Sequence, residues 1–241
     1  MMPPVGYIVK CPKCLHLHAF MSCVSGNTFG GVQLWSDGLV VSAMMPEVES
    51  PIIRCAYGTG DGNCDEIFWK DDAEVHARVE KIGWRVEYLS EAERKAQALW
   101  EELQGGQDIF SEDDYYEAME RRVCGEDVDK WKCLRTAAWY AMNNPLRQLK
   151  DVTIPFGTAT VLSARARSNL ESLAALTDEK DPQERLQKGE LLRELGQFDG
   201  VLKLLGAEFG WEEGAASTAA AIRDLALKGD TLVRVVHDDR L

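Results

Sequence analysis

Cys11-Pro12-Lys13-Cys14 and, further along, Cys55-Ala56-Tyr57-Gly58-Thr59-Gly60-Asp61-Gly62-Asn63-Cys64 are the stretches whose reading decides the fold of this chain. A C-x-x-C pair sets two thiolates at two corners of a tetrahedron, and a second pair can close it. Pro12 pre-shapes the first turn by fixing its own φ. The second pair is widely spaced: eight residues separate its cysteines, against about two to four in ordinary metal knuckles. Glycines at 58, 60 and 62 let that segment loop out while its ends converge. The expected ligand set is therefore Cys11, Cys14, Cys55 and Cys64 around a structural Zn2+. His16, His18 and Cys23 stay open as substitutes for Cys64, and on a strand His16 and His18 share a face. Two other readings compete: free, buried thiols acting as small hydrophobes, and a redox dithiol at Cys11 and Cys14, which needs a helix that the following residues do not predict.

Around the cysteines, residues 5–70 read as short strands and turns. Tyr7-Ile8-Val9 leads into the first pair, and Leu15 to Val24 alternates loosely as a second strand. Val32 to Trp35 and Leu39 to Met44, joined by Ser36-Asp37-Gly38, predict a β-hairpin with a favoured Asp-Gly turn. Pro46 and Pro51 bound a loop. Ile52-Ile53-Arg54 delivers Cys55, and Ile67-Phe68-Trp69 follows Cys64. Knuckle, hairpin and second cysteine pair together resemble the zinc-ribbon class over about residues 7–70. The resemblance implies a small metal-stapled β module. It implies no particular function, because such ribbons serve nucleic-acid binders, enzymes and scaffolds alike.

From Asp71 the apolar period lengthens. Helices are predicted at 72–81, 90–104, 111–123, 127–142, 163–177, 182–195, 198–205 and 215–228. Ser90 and Ser111 each precede acidic residues that suit a helix first turn. Asp181-Pro182 puts a capping residue before a proline at the first helical position. Gly105-Gly106 and the run 144–160 read as breaks, and His76 with Glu80 reads as a surface pair one helical turn apart. Trp131, Leu134, Ala138 and Met142 fall near helical spacing, so the aromatic concentration over 100–140 reads first as core. Residues 185–205 resemble one tetratricopeptide-type helix pair: Gly189 and Leu192 at the packing positions, Gly196 at the turn, Phe198 at the aromatic position, then Val201 and Leu205. The resemblance implies two closely packed antiparallel helices. The expected fold class is α+β: a small β-rich, zinc-ribbon-like module over residues 1–85, then an all-α helical bundle or short helical-repeat array over 86–241, with a further sub-boundary near 150.

The chain has 241 residues, a net charge of −13 and a 45% hydrophobic fraction, which fits ordinary globular material. Residues 1–89 carry seven basic and eleven acidic side chains, so no basic module hides within the acidic average, and a broad phosphate-binding face is not expected. No leader peptide or membrane-length apolar run is read. An odd cysteine count of seven with a metal-type knuckle points to a reducing compartment, the cytoplasm. Nucleophile elbow, H-E-x-x-H, Walker and dinucleotide motifs are absent from the sequence. The expectation is a non-catalytic, cytoplasmic protein-interaction or adaptor protein with a protein partner. The alternatives are an enzyme with a site between ribbon and helical domain, or a nucleic-acid binder using Lys10, Lys13, Arg54 and Lys70.

Overall fold

The computed structural model describes residues 5–22, 32–42, 50–59, 62–80, 82, 88–103, 110–149, 154–159, 161–206 and 210–238. Cys23, Pro46, Gly105-Gly106 and the boundary positions 85 and 150 lie outside these residues. The fold is α+β, with small antiparallel sheets first and helices after. The chain forms two compact units that are discontinuous in sequence. The first contains 1–27, 48–110 and 117–125; the second contains 28–47, 111–116 and 126–241.

In the first unit, β1 (Val5–Lys10) is the centre of a three-stranded antiparallel sheet, between β2 (Leu17–Ser22) and β9 (Val75–Val79). Successive side chains of β1 point to opposite faces. Ile8 packs with Ala19, Val79 and Trp100 beneath α1 (Glu91–Leu103). Val9 turns the other way, into a cluster with Cys11, Cys55, Cys64 and Phe68. Gly6 makes room for the indole of Trp100: a Cβ there would lie 2.6 Å from its Nε1. Trp100 then donates its N–H to the carbonyl of Phe20 at 3.3 Å. The helix predicted at 72–81 does not form. Residues 70–72 make a single 3-10 turn and Val75–Val79 is a strand, because the open edge of β1 offers backbone partners from Gly6 to Val9. His76 and Glu80 are accordingly not one helical turn apart.

The start signal at Ser90 is realised as a reciprocal capping box. Ser90 donates its N–H to Glu93, and the N–H of Glu93 returns to the Ser90 hydroxyl. Ser111 and Asp114 do the same at the start of α2 (Glu112–Glu120). This helix is divided between the units after Tyr116.

In the second unit, β3 (Val32–Trp35) and β4 (Val40–Ser42) form the predicted hairpin, with Gly38 at φ +85° in its turn. The hairpin is not part of the cysteine module. The other edge of β3 pairs with β10 (Val235–Asp238), a strand the sequence did not suggest. Helices α3 (Val128–Arg147), α4 (Ala164–Leu176), α5 (Pro182–Glu194), α6 (Phe198–Leu204) and α7 (Glu213–Leu227) complete the unit. α3 runs past the expected break at Asn144-Pro145. Proline there lacks the N–H that would bond the carbonyl of Ala141; two residues on, Arg147 donates to the carbonyl of Tyr140 at 2.9 Å and to Asn144 Oδ1 at 2.7 Å. α5 is buried on two sides. One side joins Trp139, Leu170 and Leu173, and the other joins Val201, Leu205 and Ile222. Gly196 turns the chain between α5 and α6 at φ +76°, and Gly189 meets Leu205 where a Cβ would lie only 2.5 Å from Cδ1. The helix pair read at 185–205 is therefore present as an antiparallel hairpin.

Candidate metal centre

Two hairpins bring the cysteines together. Cys11 and Cys14 occupy the turn between β1 and β2, directly after the pairing of Lys10 with Leu17. Cys55 ends β5 (Ile52–Cys55), whose partner β8 (Glu66–Trp69) begins two residues after Cys64. The eight-residue spacing is accommodated as expected: β6 (Gly58–Thr59) and β7 (Gly62–Asn63) form a small ladder of their own. This side hairpin returns the chain so that the N–H of Cys64 bonds the carbonyl of Tyr57 at 2.8 Å. The long spacing is thus an insertion that leaves its two ends adjacent.

The thiols of Cys11, Cys14, Cys55 and Cys64 all lie within 4.8 Å of one another. Cys11 Sγ is 3.7 Å from Cys64 Sγ, and Cys14 Sγ is 3.4 Å from Cys55 Sγ. These separations are far beyond a covalent S–S bond. They lie near the edge of about 3.8 Å that a tetrahedron with metal–sulfur bonds of about 2.3 Å requires. Cys11, Cys55 and Cys64 are buried and Cys14 is partly exposed. Burial pushes the Cys55 thiol well above its usual range, and the neighbouring Cys14, Cys11 and Cys64 thiols push the same way. A cation among the four would reverse that balance. The residues fit a four-coordinate, all-sulfur metal site.

The backbone shapes the first turn for this purpose. Lys13 directs its N–H at Cys11 Sγ at 3.4 Å. The N–H of Leu15 bonds the carbonyl of Cys11, and the N–H of Cys11 bonds the carbonyl of His16. Leu15, directly after Cys14, has φ +63°, and Asp65, directly after Cys64, has φ +49°. Each pair is thus followed by one residue in the left-handed region, which turns the chain away from the sulfurs.

The histidines do other work. His16 stacks on Tyr57 with ring centroids 3.9 Å apart. His18 stands edge-on to His16 and to Phe68. Burial, with added repulsion from His16, lowers the His18 pKa to about 4. Neither ring belongs to the sulfur cluster, whose fourth member among the described residues is Cys64. The basic side chains near the turns are engaged: Lys10 with Glu74, Lys13 with Glu66 and the carbonyl of Cys64, Arg54 with Asp65 and Glu117, and Lys70 over the ring of Phe20. The aromatic residues of 100–140 are largely core, as read: Trp100, Tyr115, Tyr116 and Trp139 are buried.

Comparison with known proteins finds no matching family model, no matching curated protein and no matching solved structure.

Sequence reading missed a second group of polar residues, buried in the second unit. Glu190, Arg193, Glu194 and Asp230 are all but inaccessible. Arg193 donates to both carboxylate oxygens of Glu190, at 2.7 and 2.5 Å, and to the carbonyls of Asp230 and Leu232. Glu194 accepts from the indole of Trp139 at 3.0 Å and from Asn143 at 3.1 Å. Burial, reinforced by Glu190 and only partly offset by Arg193, pushes the Glu194 carboxyl up to about 7. No local signal marks these residues. Glu190 to Glu194 reads as an ordinary solvated helix face until the packing is known.

Proposed function

We propose that this protein is a non-catalytic interaction protein of the cytoplasm, in which Cys11, Cys14, Cys55 and Cys64 hold one Zn2+ as the staple of a zinc-ribbon-like module. The closed donor set carries the reading. Four sulfurs within 4.8 Å of one another support this: bound together to one ion they would leave no coordination position for water or substrate, which is the mark of a structural site. Soft sulfur donors in a tetrahedron select zinc or iron, and zinc suits a role that is purely mechanical. None of the six described cysteines is disulfide-bonded, which supports a reducing compartment. No described helix is long and apolar enough to cross a membrane.

The interaction role is supported by the α5–α6 hairpin, whose close approach at Gly189 and turn at Gly196 are devices of stacked helical arrays. A protein partner is favoured over nucleic acid by the net charge of −13 and by the pairing of Lys10, Lys13 and Arg54 with carboxylates. Elemental analysis of the purified protein should return about one zinc per chain. X-ray absorption at the zinc edge should show a pure sulfur shell at about 2.3 Å. A nitrogen or oxygen donor in that shell, or less than about half an equivalent of metal, refutes the staple. Affinity capture from native lysate with the zinc-loaded chain tests the partner class: a stoichiometric protein supports the adaptor reading, and salt-labile retention of DNA or RNA overturns it.

A further inference from the structure

The two halves of the cysteine cluster are built differently. The first pair is held by its own tight turn, through the Leu15–Cys11 and Cys11–His16 backbone bonds. The second pair cannot use such a turn, because eight residues intervene. Its flanking residues, Arg54 immediately before Cys55 and Asp65 immediately after Cys64, instead engage the end of α2.

Arg54 Nη1 bonds Asp65 Oδ1 at 2.8 Å, and Arg54 Nη2 bonds Glu117 Oε2 at 2.5 Å. Arg121 Nη2 bonds Asp65 Oδ2 at 2.5 Å and also reaches Glu117 Oε1. The four charges form a closed ring of alternating sign. Arg121 Nη1 additionally bonds the backbone carbonyl of Asp65 at 2.5 Å. Asp65 is therefore gripped by both side chain and main chain while it sits at φ +49°, a conformation that L-residues leave readily unless held.

We propose that the Arg54–Asp65–Arg121–Glu117 ring is the positioning frame of the Cys55/Cys64 half of the metal centre, an inference that rests on the metal reading above. The end of α2 replaces the tight turn that the inserted side hairpin displaced. None of the four residues is a ligand. They set the backbone on either side of two ligands, and so govern how firmly those sulfurs close on the ion.

The test compares zinc transfer to a chromogenic chelator from wild-type protein and from Arg121→Ala, Glu117→Ala, Arg121→Lys and, as a control at the Lys228–Asp224 ion pair elsewhere on the surface, Lys228→Ala. Circular dichroism confirms that each variant is folded. Wild type and Lys228→Ala should carry one zinc and release it slowly. Arg121→Ala and Glu117→Ala should release it about 10- to 100-fold faster, the range seen when residues supporting metal ligands are removed. Arg121→Lys should fall between, keeping the charge but not the two-pronged grip on Asp65. The ring is partly exposed, so salt near 1 M should speed wild-type release toward the Arg121→Ala rate and leave that variant little changed. Wild-type protein holding zinc, with alanine variants that release it at the wild-type rate, overturns the frame and spares the metal reading. Wild-type protein without zinc overturns both.

Discussion

Asp37, in the turn of the β3–β4 hairpin, is ion-paired with Arg147, in the last turn of α3, with both side chains shielded from water. Asn143 adds a hydrogen bond to Asp37 Oδ2 at 3.1 Å, and the N–H of Leu39 bonds Oδ1 at 3.2 Å. Arg147 also lies over the rings of Trp35 and Tyr140. Burial lowers its pKa to about 10, against a smaller opposing pull from Glu194. A hairpin read from sequence as part of the cysteine module is held in the helical unit by this pair and by the β3–β10 ladder.

Arg147→Met should destabilise the helical unit by about 3–5 kcal/mol, because it leaves the Asp37 carboxylate buried without its cation. Arg147→Met combined with Asp37→Asn should cost less than the sum of the two single changes, since the stranded charge is gone. Urea unfolding of the four proteins, followed by far-UV circular dichroism, measures the coupling. Strict additivity would show that the pair contributes nothing of its own.

Glu194 makes the helical unit less stable at higher pH. Its carboxyl titrates near 7 when folded and near 4.3 when unfolded. The folded state therefore holds the extra proton between those values. Stability is greatest below the unfolded pKa, falls as pH rises through about 7, and is flat above, a loss on the order of 3 kcal/mol. The groups facing it are Glu190 and Arg193 on its own helix, Trp139, Asn143 and Arg147 on α3, and Asp37 through Asn143. Denaturant midpoints of the helical unit should drop between pH 5 and pH 8 in the wild type, and the drop should largely vanish in Glu194→Gln.

Gly189→Ala should weaken the α5–α6 hairpin. The added methyl would lie 2.5 Å from Leu205 Cδ1 and 2.8 Å from Cγ, and Leu205 is itself buried. Overpacking of this kind costs about 1–3 kcal/mol, against a gain in helix propensity of up to about 1 kcal/mol. A net loss near 1–2 kcal/mol is expected in thermal or urea unfolding. Leu205→Ala in the same chain should cost less than it does alone, because the alanine at 189 partly fills the space Leu205 vacates.

Metal removal should act on one unit. Chelation, or Cys14→Ser, should abolish amide-exchange protection in β1, β2, β5 and β8, since binding and folding are coupled in such sites. Protection in α4 to α7 should persist. Cys124→Ser, a buried cysteine outside the sulfur cluster, should leave the metal content unchanged.

The cysteines that cluster and most helix boundaries were legible because they rest on short-range physics. Cys11 and Cys14 share one turn. Ser90, Ser111 and Asp181 bond N–H groups only two or three residues away, and Gly38 serves its own turn. The β9 strand was misread as helix for the opposite reason. Its hydrogen-bond partners Gly6 to Val9 lie on β1, about seventy residues earlier in the chain, and a spacing pattern over ten residues carries no trace of them. The hairpin at 32–42 was recognised correctly as a hairpin and assigned to the wrong neighbours, because β10 completes its sheet from the far end of the chain.

By itself, the sequence determined which sulfurs could meet, where helices start and where glycine must turn the chain, since each of these depends on residues a few positions apart. Tertiary structure alone decided which hairpins share a sheet. It also decided that Glu190, Arg193, Glu194 and Asp230 are sealed from water, and that Glu117 and Arg121 close a ring around the residues flanking Cys55 and Cys64. Strand pairing across the chain and the desolvation of a charge are properties of what lies nearby in space, and a residue's neighbours in sequence do not specify them.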